Sequence, residues 1–261
     1  MREHKAAATT AGVLYITGTV AGVLSKVVGA PVRDARDPLA AAAEHSGAVV
    51  TSGLLVLVMG LSLAFIPVVL FPVLRRVHEV LAIGYLIVRG AVETACYVVI
   101  AIGWLLLAPL GEVMSAGPGT ASPAGVRLGS LMIDSDATMA VVQTIVFCLG
   151  AVIFYVLLYR SCIVPRWIAL WGLVAIPFYV AADVLAVYAV IAVNSTAQNV
   201  LFAPIFVQEM VLAAWMIARG FRPAAPSTGR EEPRRPSIRD DTLATDEQPQ
   251  RHSARPLASG A

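Results

Sequence analysis

Arg89 and Glu93 stand four residues apart inside an apolar run at residues 82–107. A run of that length crosses a bilayer as a helix, and i,i+4 spacing sends both side chains out of one face. An ionised side chain at mid-bilayer costs roughly 2.5–3.5 kcal/mol on insertion scales, and such residues face a bundle interior or a wet cavity. Every other helix must therefore be placed so that this pair is hidden.

The rest of the chain supplies those helices. It is 58% hydrophobic and 14% charged, against about 25% charged in a soluble domain. Further apolar runs lie at residues 11–30, 47–74, 137–159, 167–193 and 200–218, which makes six spans in all. The first has a basic start, but Pro31 follows its small residues, poor cleavage chemistry for a signal peptide, so it is read as a span. Gly18 and Gly22 form a small-xxx-small pair, suited to close packing inside one molecule. The expected architecture is all-α. Residues 1–10 form an N-terminal arm, 11–220 a bundle of six transmembrane helices, and 221–261 a tail too polar to bury a core, hence disordered.

Local signals set the connections. Asp37-Pro38 is a cap followed by a first helical position, predicting a short surface helix over residues 39–44. Pro67, Pro72, Pro177 and Pro204 are expected to kink their spans. Residues 109–136 read as the longest loop, with Asp134-Ser135-Asp136 capping the fourth span. Asn194-Ser195-Thr196 matches a glycosylation sequon but lies so close to the membrane that helix-end hydrogen bonding explains it as well.

With alternating spans, Arg2, Lys5, Arg75, Arg76, Arg160, Arg166, Arg219 and Arg222 share one side, while Arg33, Arg36 and Arg127 take the other. The positive-inside rule then puts both termini in the cytoplasm. Arg89 and Glu209 each lie about ten residues from a basic turn, roughly 15 Å deep at 1.5 Å per residue. Asp183 is deeper, roughly 25 Å from the cytoplasmic turn. One guanidinium has donors for two carboxylates, so Arg89 is the expected hub for Glu93 and Glu209, with Asp183 as a candidate fourth member. Gln143, Gln208 and Tyr97 are the polar residues placed to support it. A surplus buried carboxylate keeps its proton or binds a cation.

Other chemistry is missing. No HExxH, GxSxG, P-loop or strand-borne GxGxxG occurs, so no hydrolase or nucleotide site is legible. His4, His45, His78 and His252 are scattered, and Cys96, Cys148 and Cys162 have no disulfide or zinc spacing; no metal site and no cofactor is expected. A net charge of +2 gives no footprint for nucleic acid.

Several short motifs go together: Arg89 with Glu93, Val164-Pro165-Arg166-Trp167 leading to Gly172, then Pro204, Gln208-Glu209, Trp215 and Gly220-Phe221. In these the chain resembles the domain of unknown function 4386 family of bacterial membrane proteins, over residues 11–221. The resemblance implies a six-span protein of the bacterial plasma membrane with no established activity and no catalytic residues to carry over. Two function classes stay open. One is a protein that binds or moves a small solute, ion or proton at Arg89, Glu93, Glu209 and Asp183. The other is a non-catalytic scaffold or partner subunit whose charges fix packing and whose tail recruits a cytoplasmic partner. An intramembrane enzyme ranks below both, because no nucleophile–base pair is visible.

Overall fold

The computed structural model describes residues 2–115 and 123–221. The expected disordered tail, past Phe221, lies outside them. The described residues contain helices and no strand. In chain order these are α1 (Arg2–Arg33), α2 (Pro38–Glu44), α3 (Ser46–Leu74), α4 (Glu79–Tyr85), a π-helical segment (Leu86–Val92), α5 (Glu93–Ser115), α6 (Pro123–Ser161), α7 (Arg166–Val187) and α8 (Thr196–Arg219). With α4, the π segment and α5 taken as one rod, six helices are long and apolar enough to cross a membrane. The protein is multi-pass, as the hydropathy pattern requires.

The spans form a closed ring in sequence order. α1 packs on α3, α3 on α5, α5 and α4 on α6, α6 on α7, and α7 on α8, while α8 returns to α1. Small residues let these rods approach. Gly18 and Gly22 of α1 lie against Leu63 and Met59 of α3, so that pair is used within the molecule. Gly172 of α7 backs onto Tyr155 of α6, where an added Cβ would stand 2.6 Å from the ring.

One half of the ring is filled and the other is not. Near the ends that carry Arg75, Arg160 and Arg166, Tyr85 stacks on Phe154 at 4.8 Å and Phe154 tilts against Tyr155 at 5.8 Å. Leu70, Leu74, Leu157 and Leu158 complete this plug. Toward the opposite end a smaller core gathers Val32, Leu39, Val49, Trp104 and Leu107. It packs between α1, α2, α3 and α5, with Met132 and Ile133 of α6 against it, and leaves the space toward α7 and α8 open.

Three expectations need correcting. The long loop at 109–136 is mostly helix: α5 runs through Pro109 to Ser115, and α6 starts at Pro123. Asp134 and Ser135 therefore sit inside α6 and do not cap it; Ser135 Oγ donates to the Leu131 carbonyl and Thr138 Oγ1 to that of Asp134. Polar side chains bonded back to the preceding turn fit a helix as well as a cap does, which is why the local pattern misled. Second, α2 is not simply a surface helix. Asp37 caps it as expected, accepting from the Ala40 amide at 3.1 Å, but Leu39 and Ala42 are buried. Third, α7 ends at Val187, six residues early. A turn with positive φ at Ala189 and Asn194 leads to Ser195, whose hydroxyl caps α8 by accepting from the Gln198 amide.

Candidate functional site

Arg89 sits in the middle of the π segment, 2% exposed. A π turn inserts an extra residue into a helix and marks functional positions more often than chance. Because the spans form a ring, the inward side chain of the third span meets those of the first, fourth and sixth. The guanidinium lies 4.6 Å from the Phe147 ring centre on α6 and 5.8 Å from that of Tyr15 on α1. Nη1 faces Glu93 Oε2 at 3.4 Å. Nη2 donates to Glu209 Oε1 on α8 at 3.5 Å. The structure thus brings Arg89, Glu93 and Glu209 together.

The two carboxylates differ. Glu93 is fully buried, with Tyr97 and Gln143 as its polar neighbours; Gln143 Nε2 donates to the Tyr97 hydroxyl at 2.8 Å. Glu209 keeps 16% of its side chain open and looks into a cavity of about 750 Å³. One guanidinium against two carboxylates leaves one formal negative charge, on the side that faces the cavity. Both ion-pair contacts are longer than the 2.7–2.9 Å of a tight charge-assisted bond, and Arg89 Nε has no hydrogen-bond partner. A unit charge pair 4 Å apart is worth about 4 kcal/mol at an effective dielectric of 20. An unmade buried hydrogen bond costs about 1–3 kcal/mol. The unbalanced charge is therefore the larger influence on what enters.

The cavity occupies the unfilled half of the ring. It extends from Arg89 and Glu209 past Tyr179 and Asp183 to Lys26 and Asn194 near the far ends of α1 and α7. Phe147, Tyr179 and Phe202 form an aromatic strip along it, with ring centres 5.0 and 4.7 Å apart.

Two candidate residues have other partners. Asp183 does not join the Arg89 pair. It accepts from Thr144 Oγ1 and from Gln198 Nε2, and Gln198 Oε1 accepts from the Asn194 amide at 2.6 Å. Asp183 thus ties α6, α7 and the turn before α8 together at the upper wall. Through Gln198 it meets α8 eleven residues before Glu209, a separation that spacing along one helix does not reveal. Gln208 turns away from Glu209: it accepts from the Tyr155 hydroxyl at 2.7 Å and donates to the Ile168 carbonyl at 3.0 Å. Sequence reasoning missed Phe147, Phe202, Thr144 and Gln198. The aromatics carry no signal that separates them from core. Thr144 was a polar residue in an apolar run and could have been flagged, whereas Gln198 lay in the polar segment between two runs, where nothing set it apart.

No group of three or more His, Cys, Asp or Glu that could hold a metal ion occurs among the described residues.

The sequence profile of the family described as Domain of unknown function (DUF4386) matches residues 10–220, from the start of the first span to the cap of the last. The chain belongs to that family. No curated protein and no solved structure matches it. Within this DUF4386 chain, several residues that carried the resemblance now have physical roles. Gly172 admits Tyr155, Tyr155 holds Gln208, and Gln208 fixes the helix turn that presents Glu209.

Proposed function

We propose that this DUF4386 protein binds a small solute in the cavity above Arg89 and Glu209 and passes it, or a signal of its presence, across the membrane. The observation that carries this reading is the cavity itself: about 750 Å³, reaching from the far helix ends to the Arg89–Glu209 pair at the centre of the ring. Ligand sites of this kind run from about 300 to 1,000 Å³ and combine apolar walls with a few polar groups. Ionisable residues inside spans mark pathways and binding sites. Pro177 and Pro204 lie inside α7 and α8, both of which line the cavity, and each removes one helical hydrogen bond there.

The positive-inside rule supports cytoplasmic termini in a bacterial plasma membrane, with Arg75, Arg76, Arg160, Arg166 and Arg219 inside and Arg33, Arg36 and Arg127 outside. On that reading the cavity faces the exterior and the Tyr85–Phe154 plug closes the cytoplasmic half. A packing role is the second reading, favoured for Glu93 by its full burial. There Arg89 and Glu93 hold the ring shut and only Glu209 serves the cavity.

Reconstitution into liposomes tests the proposal. Uptake of solutes from a panel of cations, anions and neutral compounds, and of protons, is compared with that of empty liposomes. At least one flux should exceed the background and fall to it in Glu209→Gln and in Ala203→Trp, which fills the cavity. A purified protein that moves none of the panel, and whose thermal unfolding midpoint none of the panel raises, overturns the reading in favour of a scaffold.

A further inference from the structure

We infer that the solute is an organic monocation with an apolar, partly aromatic body, its charged head at Glu209 and its body along Tyr179 and Phe202. The inference rests on the solute-binding reading above and names the class. Arg89 is engaged by two rings and at two nitrogens: Phe147 and Tyr15 have ring centres 4.6 and 5.8 Å from its guanidinium carbon, and Glu93 and Glu209 take Nη1 and Nη2. Its charge is matched by Glu93, the more deeply buried partner. Glu209 is then the group whose charge has no full counterpart, and its open flank faces the cavity. An anion placed there would add a second unbalanced negative charge far from water. A monocation cancels the first.

Three further observations narrow the class. Asp183, the other carboxylate of the cavity wall, already accepts from Thr144 and Gln198 and has Lys26 within electrostatic reach, so a second positive charge on the solute has no free anion to meet. The other cations of the wall, Lys26 and Arg33, sit at the far end of the cavity. Lys26 is exposed, and Arg33 lies 4.7 Å from the Trp104 ring centre and donates to the Lys26 carbonyl; in water such charges are screened within about 8–10 Å, so neither sets the field at the base. Between the two carboxylates the wall is aromatic, with the Tyr179 and Phe202 rings tilted against each other at 4.7 Å. Aromatic faces accept cations and apolar rings alike. A strongly hydrated metal ion gains little from such a wall, whereas an ammonium or phosphonium with an organic body matches both ends.

Two ions of nearly the same size and opposite charge decide the matter. Tetraphenylphosphonium and tetraphenylborate are titrated by equilibrium dialysis against the full chain in nanodiscs, with empty nanodiscs subtracted. Saturable binding of the phosphonium is expected, at least tenfold weaker in Glu209→Gln, retained within threefold in Glu209→Asp, and weakened in Phe202→Ala. The borate should show no saturable component. If Glu209→Gln does not fold, the comparison between the two ions and the Phe202→Ala variant still decide. Saturable borate binding that Phe202→Ala weakens would overturn the cationic class while leaving the cavity as a solute site. Phosphonium binding unchanged in a folded Glu209→Gln protein overturns the inference, as does the absence of saturable binding for both ions; the broader solute panel judges the cavity separately.

Discussion

Arg89 and Glu93 make a pair in which each member is tolerable only because of the other. Removing one charge from a buried pair leaves the other uncompensated and costs about 3–5 kcal/mol, while replacing both by apolar groups is often neutral. Arg89→Leu should therefore lower unfolding stability in detergent by about that amount, and adding Glu93→Leu should restore much of it. The check is a double-mutant cycle by thermal or denaturant unfolding. If Arg89→Leu unfolds like wild type, Arg89 is not what holds the ring together. Tyr155 and Gly172 give a second case. Gly172→Val puts a side chain where the Tyr155 ring lies, and overpacking of this kind costs about 1–3 kcal/mol. Tyr155→Phe leaves Gln208 Oε1 without its donor, at about 1–3 kcal/mol for a buried acceptor. The double variant should cost less than the sum of the two in the same assay, because a ring displaced by Gly172→Val has already weakened the hydroxyl's bond to Gln208.

At the scale of elements, the turn between α7 and α8 shapes the upper wall of the cavity. Ser195 caps α8, Asn194 holds a positive φ, and Gln198 links both to Asp183. Ser195→Ala removes the cap and should cost about 1 kcal/mol. Asn194→Val forces a β-branched residue into the left-handed region and should cost about 1–2 kcal/mol. Asn194→Gly should be within a few tenths of wild type, since glycine adopts that conformation freely. Thermal midpoints rank the three, and a reversed order for valine and glycine would show that the turn is not held as described. The π segment is the other decisive element. A period of 3.6 residues is all that an apolar run displays, so the extra residue in the Leu86–Val92 turn left no mark in the hydropathy pattern. The i,i+4 spacing of Arg89 and Glu93 was enough to pair them across the junction with α5.

For the whole molecule, the ring order means that successive connections alternate between two ends. Cys162 lies between α6 and α7, and Val193 between α7 and α8. In a Cys96→Ala, Cys148→Ala background, a membrane-impermeant maleimide added to intact cells should label Val193→Cys and leave Cys162 untouched until the cells are lysed. Labelling of Cys162 in intact cells would reverse the orientation proposed above and turn the cavity toward the cytoplasm.

The six spans, the membrane class and the Arg89–Glu93 pair were legible because hydrophobicity and helical spacing are properties of contiguous residues. The partner of Arg89 on α8 could be anticipated from depth alone, since groups at one level of a bilayer are brought together by the cost of leaving them in lipid. The separation of Asp183 from that pair could not, nor the turning of Gln208 toward Tyr155, nor the aromatic strip of Phe147, Tyr179 and Phe202. Each depends on how one helix is rotated against its neighbours, and in spans that are apolar all round no stripe of polar residues announces that rotation. Close packing at Gly22, Gly172 and the π turn decides it, and with it where the cavity lies.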